Sequence, residues 1–315
     1  MTDKLTLKVT DIRCEAKDVM VLELKHPDGK DLPPFTAGAH LEIYLQGNLI
    51  RHYSLCNDPA ERGRYCIGVG LAKESRGGSE YIHRSVRVGM SIQCSAPRNN
   101  FPMDSSAIEH VFIAGGIGVT PIMAMIKTCI REGKKWRLLY CTRNRQRTAF
   151  YEELKALAPD SCHFHFDDEQ TDFFQPTEAL IDIDPQAHIY CCGPMPLMKA
   201  VEAAESKRDP SHVHFEWFTA AAVDTAQDKP FKVILRSGAE FEVPTGKSIL
   251  DVLEERDEGV PYSCREGLCA TCRTGVISGV PDHRDSVLSK AERDSNSCMM
   301  ICVSRALTET LQLDL

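Results

Sequence analysis

Apolar and polar positions along the chain fall into three regimes. Up to residue 104, short runs of Val, Ile, Leu and Tyr recur: LTLKVTDIR, VMVLELKH, HLEIYL, YCIGVGLA and MSIQCSA. Gly and Pro breaks such as HPDGKDLPPF separate them. Several short strands at this spacing predict a closed or nearly closed antiparallel barrel. From 105 to 222 the pattern changes to buried strands alternating with helical periodicity. HVFIAGGIGVTPIMAMIKTCIREG reads as strand, glycine turn and helix. WRLLYCTRN and TAFYEELKALA repeat the pair, CHFHFDD adds a strand, and AHIYCCGPMPLMKAVEAAE runs from strand into helix. HVHFEWF closes as a fifth strand. This alternation predicts a parallel sheet covered on both faces.

The stretch 219–230, TAAAVDTAQDKP, is small, polar and aperiodic, as a linker is. Beyond it FKVILRSGAEFEVP predicts a hairpin turning at Ser237-Gly238, and SILDVLEERDEG a helix with Ser248 as N-cap and Gly259 near its end. The expected organisation is a barrel over 1–104, an α/β domain over 105–222, a linker over 223–230 and a third domain over 231–315.

Composition narrows the setting. With 43% hydrophobic and 26% charged residues the chain has the make-up of soluble globular protein. No apolar run approaches the ~18 residues of a membrane span, and MTDKLTLKVTDIR lacks the apolar core of a signal peptide. A cytoplasmic protein without membrane contact is expected. A net charge of −8 argues against nucleic acid as a partner.

Fourteen cysteines are a high count, in a chain with no export signal. Four of them form a pattern. Cys264, Cys269 and Cys272 read C-x4-C-x2-C within YSCREGLCATCRTG, and Cys302 follows after 29 residues. That is plant-type [2Fe–2S] ligand spacing. Soft thiolates suit iron. Small Gly267 and Ala270 admit close backbone approach, and Arg265 and Arg273 flank the loop. A zinc site would show paired C-x2–4-C motifs instead. Cys298, four residues before Cys302, is the alternative fourth ligand. The other cysteines read as small buried hydrophobes.

A one-electron centre beside a nucleotide-binding pattern calls for a converter. Nicotinamides deliver two electrons as hydride, the cluster takes one, and a flavin handles both. Two stretches of the barrel suit a flavin. Arg51-His52-Tyr53-Ser54, at the start of a strand-like run, offers a guanidinium, a hydroxyl and an aromatic face. Arg76-Gly77-Gly78-Ser79 offers a phosphate cradle. By themselves these signals are weak, since a surface arginine on a strand and a glycine turn are the commoner explanations; the need for a converter is what favours the flavin. For the nicotinamide, Ala114-Gly115-Gly116-Ile117-Gly118-Val119-Thr120-Pro121 follows a strand and opens a helix, which aims N–H groups at a pyrophosphate. It departs from G-x-G-x-x-G, and a purely structural turn is the competing reading. Cys191-Cys192-Gly193-Pro194 lies at the end of a later strand. Cys192, next to the turn, is the better placed to reach a nicotinamide ring.

Together RHYS, RGGS, GGIGVTP, CGP, HFEWF, CREGLCATC and PDHRDSVL with ICVSRA resemble the phthalate dioxygenase reductase group of the ferredoxin–NADP reductase superfamily. That group includes vanillate demethylase, phenoxybenzoate dioxygenase and carnitine monooxygenase reductases. The resemblance spans the whole chain. It implies a multidomain fold: an antiparallel β-barrel flavin domain, an α/β parallel-sheet nicotinamide domain and an α+β (β-grasp) plant-type ferredoxin domain.

The resemblance implies roles as well. Arg51, Tyr53 and Ser54 hold the flavin, with Ser54 near its hydride-accepting N5. Arg76, Gly77, Gly78 and Ser79 bind a terminal phosphate, favouring FMN over FAD. Gly116, Gly118 and Thr120 lie along the dinucleotide. Cys192, with Gly193 and Pro194, lies near the reacting ring, so that Ser54 and Cys192 are the catalytic candidates. Glu216 and Phe218 end the nicotinamide domain, where an aromatic side chain approaches the flavin. Cys264, Cys269, Cys272 and Cys302 bind the cluster. Thr142-Arg143-Asn144 goes with NADH, although Arg143 suits a 2′-phosphate.

The implied activity is an NADH-dependent oxidoreductase, a monomer, that feeds a terminal Rieske-type oxygenase in the breakdown of a small aromatic or quaternary amine compound. The alternatives are a separate ferredoxin or a diiron hydroxylase as acceptor, or a redox sensor without turnover. His52 and Trp217 have no assigned role. Asp282-His283-Arg284-Asp285 reads as structural in preference to partner-facing, and the acidic DVLEERDEG reads equally as a docking face or a solvated helix face.

Overall fold

The computed structural model describes residues 4–73, 75–220, 225–226 and 228–315. Of the expected linker, residues 223, 224 and 227 lie outside the described residues. The chain packs into two units, Met1–Phe218 and Thr219–Leu315.

The first unit opens with six antiparallel strands: β1 (Leu5–Ala16), β2 (Val19–Lys25), β3 (His40–Leu45), β4 (Leu49–Ser54), β5 (Tyr65–Gly70) and β6 (Ser91–Cys94). Their order is β4-β3-β6-β1-β2-β5. A bridge between Leu55, just past β4, and Ile67 in β5 joins the two edges, so the sheet closes. Closure removes exposed strand edges. Alternate residues such as Leu7, Val9, Leu22, Leu24, Leu41 and Ile43 fill the interior. Two details differ from expectation. Arg51–Ser54 lies at the end of a strand, not its start, because β4 pairs with β3 from Leu49 onward. Gly77-Gly78 does not simply turn the chain. Gly77, at φ +87, caps helix α1 (Gly78–Ser85), which buries Ile82 against the barrel.

The same unit continues as a parallel sheet of β7 (Glu109–Gly115), β8 (Lys135–Thr142), β9 (Cys162–Phe166), β10 (His188–Cys192) and β11 (Val213–Glu216), in the order β11-β10-β7-β8-β9. Central β7 is buried throughout, as a strand covered on both faces must be. Helices α2 (Val119–Glu132), α3 (Tyr151–Leu157), α4 (Pro176–Ala179) and α5 (Met195–Ala204) supply the cover. The second helix is shorter than TAFYEELKALA promised, because Phe150 takes a left-handed φ of +59 and starts it late.

Barrel and parallel sheet meet at β5. A Cβ on Gly68 would lie 2.5 Å from Cγ2 of Thr120, in the first turn of α2. Thr120 is 1% exposed and donates from Oγ1 to the Ile117 carbonyl, so it has little room to retreat. Only glycine lets the dinucleotide turn press onto the barrel wall.

The second unit holds β12 (Phe231–Leu235), β13 (Glu240–Val243), α6 (Ile249–Glu255), β14 (Arg273–Ser278), β15 (Pro281–Asp282), α7 (Lys290–Ser295), β16 (Cys298–Met300), β17 (Arg305–Ala306) and β18 (Thr310–Leu313). Its main sheet runs β13-β12-β18-β14-β16, with β12 and β18 parallel. The hairpin turns at Gly238 (φ +85). Ser248 and Asp251 form a capping box on α6. The helix stops at Glu255, so Gly259 lies beyond its end rather than capping it.

Gly68→Ala should destabilise the full-length protein by about 1–3 kcal/mol, the usual effect of overpacking. Thr120→Ser removes the opposing methyl, so the double variant should lose less than the sum of the single variants. Thermal denaturation of the four proteins measures this; strict additivity would place the strain elsewhere.

Candidate functional site

The end of β4 and the end of β11, 162 residues apart, touch. Ser54 is 3% exposed, and its Oγ donates to Oε2 of Glu216 at 3.3 Å. Glu216 is half-buried as a residue, yet protein crowds its carboxyl enough to push its pKa up to about 8; the Ser54 bond pulls the other way. A neutral acid that can hold or release a proton therefore stands beside the flavin motif. Cys192 pairs in register with Glu216 on one side and Ala114 on the other. It is the last residue of β10 rather than part of the turn, and it is fully buried. Burial, with the nearby Glu216 carboxyl, pushes its thiol well up, so it is a neutral wall and not a thiolate.

The two nucleotide turns interlock. A Cβ on Gly118 would lie 2.1 Å from the Cys192 carbonyl oxygen, and one on Gly115 would lie 2.4 Å from Cδ of Pro194. Gly116 (φ +54) faces open space, and Tyr140 Oη donates to its carbonyl at 3.0 Å. Thr120, expected along the dinucleotide, instead turns its side chain into the turn and the barrel wall. Gly193 is half-buried and Pro194 exposed, at the mouth of the same edge. Phe218 is 37% exposed, just past β11. Trp217 packs on Phe215 and under Lys199. At the far side Arg143 is exposed, while Arg145 lies over Phe166 and grips both oxygens of Glu169 at 2.6 and 2.8 Å.

The two arginine–glycine stretches of the barrel also come together. Arg51 donates to the carbonyl of Arg76 at 2.6 Å and of Ile50 at 2.8 Å. Its stem packs where a Gly78 side chain would be, 2.5 Å from that position. Ser79 Oγ accepts from Ala72 N at 3.2 Å, and Ser75 Oγ from Gly77 N at 3.2 Å. The Arg51 guanidinium and the N–H groups opening α1 thus lie at one loop, which suits an anion. Tyr53 is half-buried at the barrel edge, its phenol pushed up to about 12 by burial.

In the second unit the cysteine loop is tightly wound. Arg265, Gly267 and Ala270 take left-handed φ values of +58, +67 and +58. Two of these are not glycine, a strained arrangement that the surroundings must hold. The N–H groups of Glu266 and Leu268 point at Cys264 Sγ at 3.3 and 3.4 Å, and that of Cys264 points at Cys269 Sγ at 3.5 Å. Cys302 lies within hydrogen-bonding reach of the Cys264 and Cys272 thiols, and Cys269 of Cys264. Cys298 sits in β16 opposite Gly275. Among the described residues no three His, Cys, Asp or Glu side chains converge on a single-ion site. A two-iron cluster asks for something else, four thiolates shared as pairs, and this donor set fits it.

The flanking arginines are not free charges. Arg265 meets Asp251 and Glu254, both at 2.6 Å, and Arg273 meets Glu292 at 3.0 Å. Sequence reasoning did not foresee the Ser54–Glu216 contact. Each residue lies in a recognised motif, but nothing local joins them.

Comparison with known proteins agrees with this layout. Residues 233–307 match the family described as 2Fe-2S iron-sulfur cluster binding domain, and 112–203 match the oxidoreductase NAD-binding domain. The phenoxybenzoate dioxygenase subunit beta of Ectopseudomonas oleovorans is 42% identical over 312 residues, 99% of this chain and 97% of the relative. The solved phthalate dioxygenase reductase, described as modular for electron transfer from pyridine nucleotides to [2Fe-2S], is 40% identical. It covers 99% of this chain and 98% of its own, with a TM-score of 0.74. An intact type IV self-sufficient cytochrome P450 monooxygenase is 33% identical with a TM-score of 0.91 over 99% of this chain, which spans only 41% of that protein's length. The chain belongs to the phthalate dioxygenase reductase family, NADH-dependent oxidoreductases with FMN and a [2Fe–2S] cluster that serve as reductase components of oxygenase systems.

Proposed function

We propose that this reductase delivers electrons from NADH to a terminal Rieske-type oxygenase acting on a small aromatic or quaternary amine compound. The reading also takes the protein to be a cytoplasmic monomer. The observation that carries it is the Ser54–Glu216 contact, which joins the flavin motif of the barrel to the nicotinamide edge of the parallel sheet in one packed unit. The names of its relatives, among them vanillate O-demethylase oxidoreductase, support an oxygenase as the acceptor.

FMN, when bound, accepts hydride and releases electrons singly. The residues divide the remaining work. Arg51, Arg76, Gly77, Gly78 and Ser79 would hold its phosphate, and Tyr53 would offer an aromatic face to its ring. Burial holds a proton at the Glu216 carboxyl, which accepts from Ser54, beside the place where charge changes. Cys192, neutral and buried, shapes the wall behind the nicotinamide, with Gly118 pressed on its carbonyl and Gly116, Gly193 and Pro194 at the mouth. Phe218, exposed just past β11, would offer its aromatic side chain toward the flavin. Cys264, Cys269, Cys272 and Cys302 hold the iron–sulfur cluster, with two backbone N–H groups on Cys264 Sγ.

Three outcomes test the reading. The purified protein should reduce cytochrome c with NADH, and with the right oxygenase it should support NADH-dependent substrate oxidation. Absence of any NADH-driven turnover would refute the enzyme reading. Cys302→Ser should lose the visible absorption and iron of the cluster while Cys298→Ser keeps both; the reverse pattern would reassign the ligand.

Glu216 supplies the third. Its carboxyl titrates near 8 instead of the ordinary 4.5, so the folded state binds the proton more tightly than the unfolded state. That contribution is complete below about 4.5 and is lost as pH rises through 8. Glu216→Gln keeps a neutral partner for Ser54 but cannot ionise. Its melting temperature should therefore gain on the wild type steadily from pH 5 to 8. Parallel profiles would mean an ordinary carboxyl.

A further inference from the structure

Behind the cluster loop two buried polar atoms face each other without a hydrogen bond: Nδ1 of His283 and Oδ1 of Asp285, 4.0 Å apart. The Asp285 side chain is 0% exposed and that of His283 10%. Buried orphans of this kind are costly and rare, so the pair calls for an explanation.

Its surroundings supply one. Asp285 Oδ2 already accepts from the N–H groups of Val287 and Leu288 at 3.0 and 2.8 Å, which leaves Oδ1 for His283. Arg293 donates to the Asp285 carbonyl at 2.6 Å and anchors the segment from the other side. Nε2 of His283 lies 3.3 Å from the side-chain amide of Asn296, which ends α7 at φ +50. The two ends of an Asn amide are assigned from the network they serve. With its nitrogen toward the ring, Asn296 donates to Nε2, and the ring proton sits on Nδ1, facing Asp285 Oδ1 across 4.0 Å, an electrostatic contact longer than a hydrogen bond. That assignment orients the ring so that its N–H faces the Asp285 carboxylate.

The same segment grips the cysteine loop. Ser286 N donates to the Gly267 carbonyl at 3.0 Å. A Cβ on Gly267 would lie 2.9 Å from Cα of Asp285 and 2.7 Å from Cγ2 of Val303, so the two backbones are in direct contact. Gly267 sits between Glu266 and Leu268, the residues whose N–H groups point at Cys264 Sγ. A shift at 285–286 therefore moves both N–H groups relative to the sulfur.

We propose that Asn296, His283 and Asp285 form a brace that holds the Glu266 and Leu268 N–H groups on Cys264 Sγ and thereby sets the reduction potential of the [2Fe–2S] cluster. The proposal rests on Cys264 being a cluster ligand. His283 and Asp285 are positioning residues; neither touches the iron. N–H groups aimed at a ligand sulfur favour the reduced, more negative state, so loosening them lowers the potential.

The test is an EPR-monitored redox titration of the full-length holoprotein with hydrogen exchange of segment 264–269. His283→Ala should move the midpoint negative, so that the ratio of reduced to oxidised cluster at the wild-type midpoint falls about tenfold, ~59 mV for one electron. Exchange in 264–269 should quicken. His283→Gln, which keeps an N–H group for Asp285, should restore most of both. Should His283→Ala fail to fold, Asn296→Gly removes only the outer link at a position whose positive φ suits glycine; it should move the midpoint the same way by less. A variant with full iron and both readouts unchanged overturns the brace. A wild-type protein without iron or a [2Fe–2S] EPR signal would instead refute the cluster assignment beneath it.

Discussion

The contact of the Ser54 hydroxyl with the Glu216 carboxyl is the interaction on which the redox site of the first unit depends. It joins a barrel strand to the edge of a parallel sheet, two structures that each have a core of their own and share a third, in which Val19, Val21 and Cys66 pack with Phe112, Val119 and Met123. It exists because the dinucleotide turn can press against β5 where Gly68 has no side chain. Burial then sets its chemistry. A charged carboxylate there would be poorly solvated, so the acid stays neutral near pH 7 and the serine bond is one of its compensations. The neighbouring thiol of Cys192 is neutral for the same reason.

The second unit handles charge differently. Its cysteine loop is wound through left-handed positions at Arg265 and Ala270, and the cost is met by neighbours. Arg265 is tied to Asp251 and Glu254 on α6, and Lys247 to Glu255. Much of the acidic character of DVLEERDEG is thereby spent inside the unit. A docking face built on that run has fewer uncompensated charges than the sequence suggests, which weakens long-range steering through it.

Much of the fold was legible because its signals are local. Five of the six barrel strands, the strand–turn–helix at GGIGVTP and the Ser237-Gly238 hairpin each arise from neighbouring residues. Helix α1 was hidden, since RGGS has the make-up of a turn and only the folded chain shows Gly77 capping a helix. Arg51 and Arg76 were both picked out, but that Arg51 holds the Arg76 carbonyl needed the folded barrel.

The sequence by itself determined the three regimes of periodicity, the cysteine spacing and the glycine turn that opens α2. Each is written in short-range repeats of residue type. Only the tertiary structure decided which groups from distant segments share an environment. It put Glu216 beside Ser54, sealed Cys192 in the core, brought Cys302 to Cys264 and Cys272, and set His283 and Asp285 behind Gly267. The physical reason is that protonation and sulfur hydrogen bonding depend on burial and on neighbours through space, and spacing along the chain carries neither.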